Sequence, residues 1–170
     1  MLISVSGAPT EEDPDIKEAS INHLVYSIIS PVLEHFINTT GRENVQLRFE
    51  KEIVSTDGET GGEEEHVVVD LIELKREDYI LIVEAKRTSV GQAMKQCLLA
   101  MKDMHDSNGD QGTIYGFVTT GKSWRMITYD GRSFQKSEEM MVLFDTMGSD
   151  KQRWMDGYSV VVDCIYDILR

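Results

Sequence analysis

Asp70, Glu84 and Lys86 stand in the two apolar runs that flank the charged segment Glu73–Asp78 in Val67–Lys86, "VVVDLIELKREDYILIVEAK". Strand side chains alternate between faces, so Ile80, Ile82, Glu84 and Lys86 share one face, while Leu81, Val83 and Ala85 share the other. A hairpin turning at Lys75–Asp78 would pair residue 84 with residue 70 and bring all three charges together. Charges placed among buried strands are costly unless they are paired or hold a metal. The chemistry that uses such a group is metal-assisted phosphodiester hydrolysis. A hard Mg²⁺ or Mn²⁺ ion would be held by Asp70, Glu84 and the backbone carbonyl of Ala85. Lys86 would orient the attacking water or steady the charge developing on phosphorus. A structural ion pair, or an exposed strand end, is the plainer use of the same residues.

Several elements must position this group. From Pro14, "PDIKEASINHLVYSIISPVLEHFINTTG" places Ile21, Leu24, Val25, Ile28 and Val32 at helical spacing. Asp13 is a candidate N-cap, Pro31 a predicted kink or split, and Gly41 the stop. "NVQLRFEKEIV" alternates as a half-buried strand, and His66–Leu74 and Tyr79–Lys86 form the hairpin. A helix is predicted from Ser89 to about Asp106. "GTIYGFVTTG" and "SWRMITYDG" are predicted as two further strands, and Arg132–Phe134 as a short edge strand. A last helix spans about Asp150 to Leu169, with Trp154, Tyr158, Val161, Ile165 and Ile168 on one stripe. That stripe would pack on the sheet or mediate a homodimer. The expectation is a flexible arm over residues 1–13 and one α/β domain over 14–170, in the order α-β-β-β-α-β-β-α with a mixed sheet flanked by helices.

Asp70, thirteen intervening residues, and then Glu84-Ala85-Lys86 on adjacent strands resemble the PD-(D/E)XK nuclease superfamily, with its restriction-endonuclease-like core. The resemblance covers about Lys17 to Gly121, and departs from the family pattern in having Val69 where a Pro precedes the acid. It implies a metal-dependent nuclease, with DNA as the expected substrate. Members often carry a Glu on the first helix as an additional metal or water ligand, which here is Glu18, in register with Ile21, Val25 and Ile28. Several branches place a Gln on the helix after the strand; of Gln92 and Gln96, the latter is preferred because Leu99 and Ala100 follow it. The segment "IYGFVTTGKSWRMITYDG" is similar to one in uncharacterised fungal proteins and in nuclease domains of Crinkler-type effectors. Lys122, Trp124, Arg125 and Arg132 would supply phosphate and stacking contacts, although Trp124 also reads as ordinary core.

The net charge of −13 argues against a general polyanion-binding surface. The acids are concentrated, however, in "EEDPDIKE" (Glu11–Glu18) and "STDGETGGEEE" (Ser55–Glu65), read as a helix start and a solvated loop. No apolar run approaches the roughly 20 residues that cross a bilayer, and the N-terminus has no secretory pattern, so an intracellular protein is expected. Cys97 and Cys164 lie far apart, and the four histidines have no metal-ligand spacing, which argues against a zinc site and a disulfide framework. No phosphate-binding Gly-rich motif and no nucleophile elbow is present. The remaining competitor is a catalytically inactive interaction or scaffold module on the same fold.

Overall fold

A computed structural model of the chain describes residues 18–54, 61–73, 76–86, 90–142 and 151–170, with side chains described over 21–48, 78–86, 90–142 and 151–170. The elements run α1 (Glu18–Thr40), β1 (Val45–Val54), β2 (Gly61–Glu73), β3 (Arg76–Ala85), α2 (Val90–Ser107), β4 (Ile114–Thr119), β5 (Ser123–Tyr129), β6 (Phe134–Lys136), β7 (Met140–Met141), α3 (Lys151–Gly157) and α4 (Val160–Leu169). The chain is thus α/β, with helices on both faces of a mixed sheet. The strands pair in their sequence order from β1 to β6, and β7 joins β5. Every pairing is antiparallel except β3 with β4. That exception follows from topology: β3 and β4 are joined through α2, a crossover long enough to return the chain for parallel pairing.

The alternation of β3 divides the core. Leu81, Val83 and Ala85 are buried with Ile21, Val25, Ile29 and Phe36 of α1 and with Val161, Ile165 and Leu169 of α4. Ile82 faces the other way, against Ala93, Cys97, Met101 and Met104 of α2. This second layer is tight at Gly116, where an added Cβ would stand 2.6 Å from Met101 Sδ and 2.8 Å from Cys97 Sγ.

Several expectations change. Pro31 stays within a continuous 23-residue α1 rather than splitting it, while Gly41 (φ +73°) ends it, its N–H donating to the Ile37 carbonyl at 2.8 Å. The acidic stretch read as a loop is strand from Gly61, paired with Lys51–Val54 of β1. The C-terminal helix is two helices: the Tyr158 N–H closes α3 on the Trp154 carbonyl (2.8 Å), and the Ser159 carbonyl accepts from Val162 and Asp163 to start α4. Of the predicted stripe, Val161 and Ile165 are buried in the chain's own core beside Leu169, while Trp154, Tyr158 and Ile168 are half-buried. The proposed N-cap Asp13, the arm 1–13 and Ser89 lie outside the described residues. Among the described residues, no helix is long and apolar enough to cross a membrane.

Candidate functional site

Glu84 is the last but one residue of β3 and is only 2% exposed. It alternates with Val83 and shares the face of Ile82, beneath α2. Its closeness to α2 registers on Cys97, whose thiol is pushed far above the usual range by complete burial and, secondarily, by the Glu84 charge. Lys86, half-buried, follows on the same face, where the strand leaves the sheet. The Lys86 backbone N–H donates to the Thr119 carbonyl at 3.0 Å, carrying the β3–β4 ladder one step past Ala85. A carboxylate and an ammonium-bearing side chain therefore emerge from the C-terminal ends of the parallel pair.

The turn after β4 frames the same end. Thr119 is buried, and its Oγ1 accepts from the Gly121 N–H at 2.9 Å. Gly121 holds φ +92°, which favours glycine. The Trp124 indole donates to the Gly121 carbonyl at 3.1 Å, and its ring is fully buried edge-on to Phe117. Trp124 is core, as its plainer reading held. Arg125 is half-buried, and the register runs Glu84↔Val118 and then Val118↔Arg125. Val118 packs in the α2-side core, so Arg125 shares Glu84's face two strands away, about 10 Å across the sheet. Lys122 is exposed in the turn itself. Ile21 and Leu24 lie 3.7 Å from the Cβ position of Gly121, so α1, which opens with Glu18, starts at this end too. The Glu18 side chain is outside those described.

Other predicted members are not brought here. Asp70 stands opposite Asp78, and Val83 opposite His66. Glu84 is six residues beyond Asp78, about 20 Å of strand, so the expected rung between 70 and 84 is not formed. The cause is the position of the reversal: β2 closes on β3 at Glu73↔Arg76, ahead of the predicted Lys75–Asp78 turn, and every later rung moves with it. Gln96 is exposed, as is Leu99, because the buried stripe of α2 is Ala93, Cys97, Ala100, Met101 and Met104. Arg132 is also exposed, but in the β5–β6 turn at the opposite end of the sheet, where Asp130 accepts its backbone N–H at 2.9 Å.

That opposite end holds a group the sequence reading did not assemble. Among the described residues, His105, Asp106 and Asp110 bring one potential metal-ligating atom each to within 4.8 Å of one another. The three straddle the end of α2 and the turn after it, and their order in sequence matches no common metal-binding motif. Only the spacing of His105 and Asp106 on one helical turn, followed by the Asn-Gly-Asp turn, hinted at it. Asn108, in the same turn, clamps β3: its Oδ1 accepts from the Tyr79 N–H and its Nδ2 donates to the Tyr79 carbonyl, both at 2.8 Å. Compared with known proteins, the chain matches no family model, and no curated protein matches it.

Proposed function

We propose that the chain is a metal-dependent nuclease of the restriction-endonuclease-like kind, with its centre at Glu84, Ala85 and Lys86 and with DNA as substrate. The observation that carries this reading is the buried Glu84 followed on the same face by half-buried Lys86, at the end of the parallel β3–β4 pair. The element order α1-β1-β2-β3-α2-β4, antiparallel until the α2 crossover, supports the core assignment.

The residues present suit a hard divalent cation in part. Mg²⁺ and Mn²⁺ accept one or two protein carboxylates and fill their remaining positions with water and substrate phosphate oxygens. Glu84 supplies one carboxylate, and the Ala85 carbonyl a second oxygen of the right kind. When bound, the cation acidifies a water and neutralises the scissile phosphate. Lys86 would orient the attacking water and offset the negative charge on the phosphoryl oxygens of the pentacoordinate transition state. Arg125 and Lys122 draw the phosphate backbone toward the end of the sheet. Burial makes Glu84 a poorly hydrated carboxylate, for which a cation is a strong partner.

A second reading is favoured by one observation, the separation of Asp70 from Glu84: the same fold serving as a non-catalytic interaction module. Incubation of circular duplex, linear duplex, single-stranded DNA and RNA with Mg²⁺ or Mn²⁺, beside EDTA and the Lys86→Ala protein, separates the two. Metal-dependent cutting lost in Lys86→Ala supports the nuclease. Absence of cutting on all four substrates, with no Mn²⁺ bound by calorimetry, leaves the interaction module.

A further inference from the structure

The His105 end of the sheet is independent of that centre. His105 is 5% exposed, on the last turn of α2. Its ring is fixed on two sides. Tyr129 meets it edge-on at 5.3 Å between centroids. Gly131, at φ +85°, leaves it room, since a Cβ there would stand 2.6 Å from His105 Cε1. The His105 Nδ1 faces Asp110 Oδ1 at 3.7 Å, too long for a direct hydrogen bond.

The spacing is that of two ligands around one ion. With bonds of about 2.1 Å, two ligands lie about 3.4 Å apart at the tetrahedral angle and about 4.2 Å apart at most. The 3.7 Å between Nδ1 and Oδ1 falls inside that range, and the 4.8 Å limit for the three atoms closes by a small movement of the exposed Asp110 and half-buried Asp106 carboxylates. Asp110 is free to make it, with a side chain 81% exposed.

We propose that His105, Asp106 and Asp110 form a site for a borderline divalent transition metal, Zn²⁺, with water as the fourth ligand. The donor set selects the ion. One imidazole nitrogen and two carboxylates suit zinc, whereas Mg²⁺ and Ca²⁺ take all-oxygen shells. The site is structural. It joins the last turn of α2 to the turn that carries Asn108 and, through Asn108, the start of β3.

The test is calorimetric titration of Zn²⁺ into EDTA-stripped, desalted protein carrying Glu84→Gln, which removes the carboxylate of the proposed nuclease centre. One equivalent is expected to bind, Mg²⁺ is expected not to compete, and Zn²⁺ is expected to raise the melting temperature. Adding Asp110→Asn should weaken binding at least tenfold and abolish the thermal shift; His105→Gln should do the same. Should His105→Gln fail to fold, the exposed Asp110 still decides the matter. Zinc affinity unchanged by Asp110→Asn, zinc binding absent from the Glu84→Gln protein, or equal competition by Mg²⁺ would each overturn the proposal. None of these readouts depends on nuclease activity.

Discussion

The two ends of α2 hold charged groups in opposite ways. At the start of the helix, Glu84 is buried and set by the ladder between two inner strands. At its end, Asp110 stands in solvent and a buried imidazole provides the fixed point. The first arrangement is built from the sheet, with a β-strand dictating which face each charge takes. The second is built from a helix terminus and a turn, with only His105 locked by packing. A site on inner strands inherits their precision, whereas a site on a turn acquires its geometry from the ion that it binds. The first suits chemistry, in which reacting atoms must be preplaced, and the second suits stabilisation.

That contrast is most sharply broken by activity. Glu84→Gln and Lys86→Ala are expected to lower metal-dependent cleavage by about 10²-fold or more, the scale for removing one preorganised charged group from a transition state. Asp106→Asn, at the other end, should leave the rate within about twofold; equal losses at both ends would merge the two sites into one. Asp70→Asn sharpens the point. With Asp70 opposite Asp78 it should retain most activity, and its loss of cleavage would require a β2–β3 register that brings residue 70 up to residue 84.

Stability should respond next, at the His105 end. Gly131→Ala forces a side chain into the left-handed region and against the His105 ring, so a loss of about 1–3 kcal/mol is expected in chemical denaturation. Asn108→Ala removes both side-chain hydrogen bonds to the Tyr79 backbone and should cost about 1–3 kcal/mol, read the same way. A neutral outcome for Asn108→Ala would show that the turn after α2 does not anchor β3.

Thiol chemistry should distinguish the layers. Both cysteines are held above their ordinary pKa: Cys97 by full burial and then Glu84, Cys164 by partial burial and then Asp163 and Asp167. In native protein at pH 8, Cys164 should be alkylated slowly and Cys97 not at all, both becoming reactive in denaturant. Mass-spectrometric mapping of iodoacetamide adducts checks this. The smallest effect is expected at Asp130, whose carboxyl is held below its ordinary value by N–H donation from Ser133 and Arg132. A depressed folded-state pKa gives stability that is present above the unfolded value and lost as pH falls through the folded one. Asp130 is fully exposed, so Asp130→Asn should flatten only the acid limb of stability against pH, below about pH 4.

Much of this was legible in the chain. Alternation through Val45, Leu47 and Phe49 marked β1, the β-branched and aromatic runs marked the inner strands, and an apolar strand ending in Glu-Ala-Lys marked the charged corner. The register was not legible. Leu74 continues an apolar run, while "KRED" has the composition of a turn, so the sequence favours a reversal later than the one formed. The face of Gln96 was misread because Leu98, Leu99 and Ala100 leave the apolar stripe of α2 ambiguous by one residue, and packing against Gly116 selects the stripe through Cys97 and Met101. The break between α3 and α4 carries no proline, and only Gly157 and Ser159 beside it mark the spot. The His105 group was barely hinted at, because its third member lies beyond a helix end, where spacing in sequence ceases to report proximity.

The Trp124 indole, sealed in the core with its N–H on the Gly121 carbonyl, also gives the molecule an optical reporter. Trp154 is half-buried, its N–H on the Val142 carbonyl at 2.9 Å. The two indoles should differ in emission colour and in access to a soluble quencher. Blue-edge emission then follows the turn beside Glu84, and the quenchable, red-shifted component follows the C-terminal helices, so one fluorescence spectrum can register events at the two places separately.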